Sequence, residues 1–472
     1  MERYPFYTAG NFSTGDSFLD ITNPYTGQSF ARAYQANEKA LETAITGAQS
    51  IQQSLAAMPS HQRSTILSTI ADNLYEERDA AATLLTLEAG KPIKFALGEV
   101  DRAIQTFRIA AEECKRLPME YIQLDWTPAG NRKEGLVKPF PVGVVAGIVP
   151  FNFPLNLAVH KIAPALATGC PIIIKPASGT PLSCLNLARI INNTPLPKGA
   201  FSVLPLSREL GNRLVTDERI KLLSFTGSPE VGWKMKANAG KKKVILELGG
   251  NAGLIVTSSA NINDAVVKAV SGGFAYSGQV CIHTQRILVD QKIFDSFTEK
   301  FLEEVSQLKN GNPLDPATTF SVMIDETNTK RVEAWVNEAV AEGATILTGG
   351  KRDKAWYAPT VITNTRSEMK VCAAEVFGPV VTLEPYGDFT EAVHEVNNSR
   401  YGLQAGVFTN AITEMNYAFE HIEAGGIIIN DVPTFRVDHM PYGGVKDSGM
   451  GREGVKYAMH EMMEPKILDK NF

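Results

Sequence analysis

The chain has 472 residues, of which 44% are hydrophobic and 21% charged, with a formal net charge of −5. That composition belongs to a globular protein long enough for two or three ordinary domains, and it excludes a disordered or low-complexity chain. The weak negative charge leaves no electrostatic footprint for nucleic acid or an anionic membrane, and no apolar run reaches the ~20 residues of a bilayer span.

The five cysteines, at 114, 170, 184, 281 and 372, are odd in number and lack a CxxC spacing. This suits free thiols in a reducing compartment rather than a disulfide framework. The seven histidines are scattered, so no metal site is expected. Met1-Glu2-Arg3-Tyr4 shows no secretion pattern, and the expected location is cytoplasmic.

In chain order, residues 6–35 read as short strands and turns, punctuated by Asn23-Pro24 and Thr26-Gly27. Asn37 then caps a helix with Leu41, Ala44, Ile45, Ala48, Ile51 and Leu55 on one face, stopped by Pro59. Ser60 opens a second helix through Ile66, Ile70 and Leu74, and a third is predicted from about Ile93 to Leu117. Residues 119–140 read as two strands around a Pro-Ala-Gly-Asn turn. Such a hairpin is marginal alone, so it either projects to a subunit contact or packs on its own domain.

From Gly143, strands at 144–149, 172–175, 201–204, 221–225 and 244–248 alternate with helices near 154–168, 182–192, 208–216 and 229–238. The alternation predicts a parallel sheet with helices on both faces, with ligands at the carboxyl ends of its strands. It resumes after 249 with 254–256, 265–274 and 286–289, marking a second α/β domain, and 464–469 reads as one more strand.

Candidate chemistry sits at the junctions of these elements. Cys281 ends Gly272-Gly273-Phe274-Ala275-Tyr276-Ser277-Gly278-Gln279-Val280-Cys281, between a helix and a strand. Partial exposure and polar neighbours suit a nucleophilic thiol, although plain burial is the commoner fate of a cysteine. Phe225-Thr226-Gly227-Ser228 lies where a strand ends and a helix begins. Glycine there lets backbone N–H groups approach a phosphate; a plain turn capped by Ser228 reads equally well. Lys175, in Lys175-Pro176-Ala177-Ser178, either faces a ligand anion or snorkels at the surface. Glu247 ends the apolar run Val244-Ile245-Leu246, where burial would raise its pKa toward that of a general base; an outward-facing glutamate is the plain alternative. Asn152, in Pro150-Phe151-Asn152-Phe153-Pro154, either donates to an oxyanion or makes a turn.

Jointly and in this order, these motifs, with Asn23-Pro24, Glu247-Leu248-Gly249-Gly250, Glu375-Val376-Phe377-Gly378-Pro379 and the stretch 441–454, resemble those of the aldehyde dehydrogenase superfamily over nearly the whole chain. The resemblance implies an α/β fold with a Rossmann-like nucleotide-binding domain (1–118 and 141–249), an α/β catalytic domain (250–453) and a β-hairpin oligomerisation arm (119–140 and 454–472), assembled as a homodimer or homotetramer. It implies that Cys281 attacks an aldehyde to form a thiohemiacetal and then a thioester. Asn152 would hold the oxyanion, and Glu247 would activate the hydrolytic water. NAD or NADP would lie along Val149, Pro150, Phe151, Lys175, Ser178, Gly211, Gly227, Ser228, Leu248, Glu375 and Phe377.

There are two departures from the family pattern. Phe151 stands where many relatives carry Trp, and Ser178 stands where strictly NAD-dependent members often place Glu. A serine tolerates a 2′-phosphate that a carboxylate would repel, so NADP is expected to be accepted. The implied substrate tunnel takes His160, Phe435 and Arg436, with Arg108 on a bordering helix. This polar lining suits a small hydroxylated or anionic aldehyde, and residues 160–165 and 435–458 look most like the lactaldehyde dehydrogenase-like branch. Broad aliphatic or aromatic specificity, and a CoA-acylating enzyme that would need no base at 247, remain alternatives. A thiol hydrolase would need His283 beside Cys281, sharing its face if the segment is extended.

Overall fold

The computed structural model describes residues 1–472. The runs Val144–Ile148 and Ile172-Ile173-Ile174 are buried throughout, which is how strands covered on both faces of a parallel sheet read. Five such strands lie parallel in the order Lys243–Glu247, Ile220–Thr226, Val144–Ile148, Ile172–Lys175 and Phe201–Val203. Short antiparallel strands close both edges, Phe6–Thr8 with Asn11–Ser13 on one side and Gly449–Met450 on the other. Ile172–Lys175 and Phe201–Val203 lie on one side of Val144–Ile148, and Ile220–Thr226 and Lys243–Glu247 on the other. A crevice opens at such a switch point, at the carboxyl ends of the strands. Residues 149–154 and Gly227-Ser228 leave the sheet there.

Helix Asn156–Thr168 is buried along its entire length beneath this sheet. Its Asn156, His160 and Lys161 are therefore dehydrated and need partners. Asn37 caps helix Glu38–Ala57 by accepting from the Ala40 N–H at 3.0 Å. A further helix, Arg78–Ala89, follows Ser60–Glu76 after one residue; no proline or glycine marks that break in the sequence. The helix from Ile93 ends at Glu113 rather than near 117, because Leu117 precedes Pro118 and extended backbone is favoured ahead of a proline.

The second sheet runs in the order Thr345–Thr348, Thr360–Thr363, Val380–Tyr386, Arg286–Asp290, Gly253–Val256, Gln404–Phe408 and Gly426–Ile429, parallel except for its first pair. Leu254, Ile287, Val381 and Phe408 share its core with the stacked rings of Phe297 and Phe301. Met463–Asn471 pairs antiparallel along the whole of Lys133–Pro141, which also pairs with Glu120–Gln123. Residues 455–461, expected with this arm, instead form helix Val455–Glu461. Val455, Met459 and Met462 recur at helical spacing and bury in the first core, so the arm takes the C-terminal chain only from Met463. No helix is long and apolar enough to cross a membrane.

Candidate active site

The loop carrying Cys281 is held under strain. Tyr276 and Ser277 have φ of 49° and 53°, a left-handed conformation that costs ~1–3 kcal/mol for a non-glycine residue and persists only where its surroundings enforce it. Here the Tyr276 hydroxyl donates to the Ala89 carbonyl at 2.8 Å, and the Ser277 hydroxyl to that of Ser321 at 2.8 Å. The Ile324 N–H donates to Gln279 Oε1 at 2.9 Å. At Gly278, with φ +70°, a Cβ would collide with the Gly378 carbonyl. The other four cysteines are buried; Cys281 is half-buried. Burial pushes its thiol up to about 11; the Tyr442 hydroxyl, 2.9 Å from Sγ, works the other way.

Asn152 is buried, and its Nδ2 donates to the Gln279 carbonyl at 3.0 Å. A carboxamide nitrogen carries two N–H groups, so one bond orients the amide and the other donor is left over, two residues from the thiol. Asn152→Ala is expected to lower kcat by about 10²-fold while leaving the cofactor KM nearly unchanged; steady-state kinetics checks this.

Glu247 does not face outward. Its carboxyl is buried, and neither oxygen has a hydrogen-bond partner. Burial first, then the charge of Glu453, raises its pKa well above the usual carboxylate range, so the group is placed to take a proton. Beside it lies a dense polar layer. Lys161 Nζ donates to Thr226 at 2.7 Å and to Ser224 and Glu453 at 3.1 Å each. Arg436 Nη2 donates to Glu453 at 3.0 Å. Burial opposes ionisation of Glu453, but Lys161 and Arg436 outweigh it and hold the carboxyl down to about 2.

His160 Nε2 is 2.8 Å from Asp438 Oδ1, with Arg436 Nη2 3.4 Å away. Burial, followed by the Arg436 charge, holds the imidazole below its usual range and therefore neutral. Phe435 stands at the surface with 45% of its area exposed. Arg108 does not join this group: it pairs with Asp72 at 3.6 Å and lies over the Tyr75 ring. The arginine this helix contributes is Arg102, which donates to Asp438 at 2.7 Å. Six residues place the two arginines about 120° apart around the helix axis, so they do not share a face. Arg102 lines a cavity of about 230 Å³ with Phe95, Gly98, Phe153 and Val280, the neighbour of Cys281. His283 Nε2 donates to the Gly273 carbonyl at 2.8 Å, and burial lowers its pKa to about 4. Its own N–H bonds the Val280 carbonyl, so the segment turns, and no Cys–His pair forms.

A groove of about 950 Å³ at the switch point is lined by Lys175, Ser178, Arg208, Gly211, Phe225 and Glu230, among others. Lys175 Nζ reaches only the Pro176 carbonyl, at 3.4 Å, and burial, then the nearby Arg208, lowers its pKa. A Cβ on Gly211 would come within 2.8 Å of the Lys175 stem. Ser228 holds the cap position of helix Pro229–Asn238, yet its side chain makes no capping bond. The Val149 N–H donates to the Lys175 carbonyl at 3.1 Å, joining the loop of Val149, Pro150 and Phe151 to that strand end, and Leu248 is buried beneath Gly232. The Phe151 ring meets Phe377 edge-on at 5.8 Å. Burial pushes Glu375 up to about 8, and it accepts the Gly250 N–H at 3.1 Å; a Cβ on Gly249 would collide with this carboxyl. The unpaired cations of the groove, and outside its lining the aromatic edges of Phe151 and Phe377 and the Glu375 carboxyl, are groups that suit the phosphates and ribose of a dinucleotide.

The sequence assigns no role to Arg102, Lys161, Tyr442 or Glu453, and places Asp438 only within the tunnel-lining segment 435–439. Lys161, which with His160 interrupts the otherwise apolar run 157–167, is the one visible signal among them.

The sequence profile of the aldehyde dehydrogenase family matches residues 12–468. The chain is 41% identical to the 3-sulfolactaldehyde dehydrogenase of Priestia aryabhattai, over 100% of this chain and 98% of that one. Aldehyde dehydrogenase 21 of Physcomitrella patens, solved with the reaction product succinate, is 48% identical with a TM-score of 0.98, covering 100% of this chain and 98% of its own. Glyceraldehyde-3-phosphate dehydrogenase of Methanocaldococcus jannaschii, solved with NADP, is 39% identical with a TM-score of 0.92, covering 97% and 100%.

Proposed function

Because the chain belongs to the aldehyde dehydrogenase family and is an NAD(P)-dependent enzyme of that chemistry, we propose that it oxidises a small hydroxylated or anionic aldehyde to its carboxylic acid. The observation that carries the substrate class is the charge balance beside the thiol. Three cations, Arg102, Arg436 and Lys161, meet two carboxylates, Asp438 and Glu453. With His160 neutral, one positive charge is left over whenever Glu247 holds its proton. Arg436 Nε is also buried without a partner, and a buried donor of that kind calls for an acceptor. An aldehyde bearing a carboxylate, sulfonate or phosphate supplies both, and a hydroxyl supplies the acceptor. The relative named for 3-sulfolactaldehyde and the neighbour holding succinate support this reading.

Cys281 attacks the aldehyde carbon, and the oxygen takes the charge between Asn152 Nδ2 and the Cys281 N–H. NAD(P), when bound, accepts the hydride released from that carbon. Glu247, in its deprotonated form, then takes a proton from the water that hydrolyses the thioester. Ser178, which lines the same groove as Lys175 and Arg208, supports acceptance of a 2′-phosphate, so NADP is accepted beside NAD in this reading. The arm exposes Tyr121, Phe140, Ile467 and Leu468, together with open strand edges. Such a surface favours pairing with another chain and supports a homodimer or homotetramer. The five free cysteines support a cytoplasmic location.

Initial rates of NADP and NAD reduction with lactaldehyde, 3-sulfolactaldehyde, succinate semialdehyde, propanal and benzaldehyde test the reading. The hydroxylated and anionic aldehydes are expected to be preferred, and Arg102→Gln is expected to raise their KM about tenfold or more while sparing propanal. Preference for propanal or benzaldehyde overturns the substrate class, and a requirement for added CoA overturns hydrolysis.

A further inference from the structure

The Tyr442 hydroxyl has a single hydrogen-bond partner, the Cys281 thiol at 2.9 Å, and this contact belongs neither to the oxyanion donors nor to the general base. We propose that Tyr442 is a catalytic residue whose phenol donates a hydrogen bond to the Cys281 thiolate and so raises the share of nucleophile present before attack. The proposal rests on Cys281 as the nucleophile and deepens that reading.

The direction of the bond follows from intrinsic acidities. A thiol ionises near ~8.5 and a phenol near ~10, so the singly deprotonated pair keeps its proton on oxygen and its charge on sulfur. The surroundings strengthen the donor. The Arg436 guanidinium carbon lies 3.7 Å from the centroid of the Tyr442 ring, and a cation on the ring face draws electron density away from the phenol oxygen. That arrangement is closed on itself. The Tyr442 backbone exchanges hydrogen bonds with Glu453, at 3.0 and 2.7 Å, and the Glu453 side chain in turn holds Arg436 at 3.0 Å. The ring, the guanidinium and the carboxylate are thus positioned by one another, and the phenol oxygen is aimed at sulfur.

Four groups besides burial act on the thiol: Tyr442 and Arg436 favour its ionisation, while Glu375 and Glu247 oppose it. Tyr442 itself is faced by Cys281, Arg436 and Glu247. When the sulfur–carbon bond forms, the carbonyl π pair moves to oxygen, toward Asn152 and the Cys281 N–H. The charge leaves sulfur, and Tyr442 keeps its proton throughout. A phenylalanine at 442 would preserve the ring and the Arg436 stack and remove only the hydroxyl.

The test compares the full-length enzyme with Tyr442→Phe in two pH profiles: the rate of Cys281 alkylation by neutral iodoacetamide, followed by mass spectrometry, and kcat/KM for the best aldehyde. The other four cysteines are buried, so the label reports Cys281, with Cys281→Ala as the blank. The acid limb of both profiles is expected to move up by about one pH unit in Tyr442→Phe, a roughly tenfold slower reaction at neutral pH that recovers in alkali. Superimposable profiles overturn the proposal, as does a uniform drop at every pH, which would signify lost packing. If the wild type oxidises no aldehyde, the functional reading fails, while the alkylation profiles still decide Tyr442.

Discussion

Glu247→Gln is expected to turn a cycling enzyme into one that stops after a single turnover. Glutamine has the shape of glutamate, and neither oxygen of Glu247 is bonded to the protein, so the exchange breaks no contact. What it removes is the ability to take a proton from water. Attack by Cys281 and oxidation proceed, and the thioester then accumulates. Rapid mixing should show a burst of NAD(P)H of about one per active site, followed by a steady rate about 10³-fold below wild type. The pH dependence gives a second reading. Burial and Glu453 raise the pKa of Glu247, and the active form is the deprotonated one, so wild-type kcat should fall as pH drops through that raised value. The limb should be absent in Glu247→Gln. A variant with normal kcat and no burst would assign the base elsewhere. This limb belongs to kcat, whereas the Tyr442 effect belongs to kcat/KM, so the two are separable.

The second large effect is at the nucleophile. Cys281→Ala should reduce aldehyde oxidation by about 10⁴-fold or more, to background, because nothing else near the oxyanion donors can form the acyl intermediate. Cys114, Cys170, Cys184 and Cys372 are buried, and burial pushes each of their thiols up. Cofactor binding, measured by titrating NADP against protein fluorescence, should be unchanged, since Sγ bonds only Tyr442. Stability should change by no more than about 1 kcal/mol. Residual activity within tenfold of wild type would move the nucleophile to another residue.

Much of this site could be read locally. Lys175, Gly227 and Glu247 all stand where an apolar strand ends, and a strand's end in a parallel sheet faces the ligand crevice. The pairings across the chain could not be read that way. Asn152 bonds Gln279 across 127 residues, Cys281 meets Tyr442 across 161, and His160 meets Asp438 across 278. No periodicity reports such distances. The arginines show the same limit in miniature. Arg102 and Arg108 lie on one helix, and its amphipathic phase permits either to face a tunnel. Helix Ser60–Glu76, which supplies Asp72 and Tyr75, claims Arg108 and leaves Arg102 to Asp438.

By itself the sequence determined the alternation of strands and helices, the parallel sheet and the positions of thiol, amide and carboxyl. Those follow from side-chain periodicity and from residues adjacent in the chain. Tertiary structure decided the charge of each group. Glu247 is protonatable because no partner reaches it. Glu453 is ionised because Lys161 and Arg436 do, and His160 is neutral because it is buried beside Arg436. The physical reason is that ionisation depends on what surrounds a group in three dimensions, and most of these neighbours arrive from remote parts of the chain.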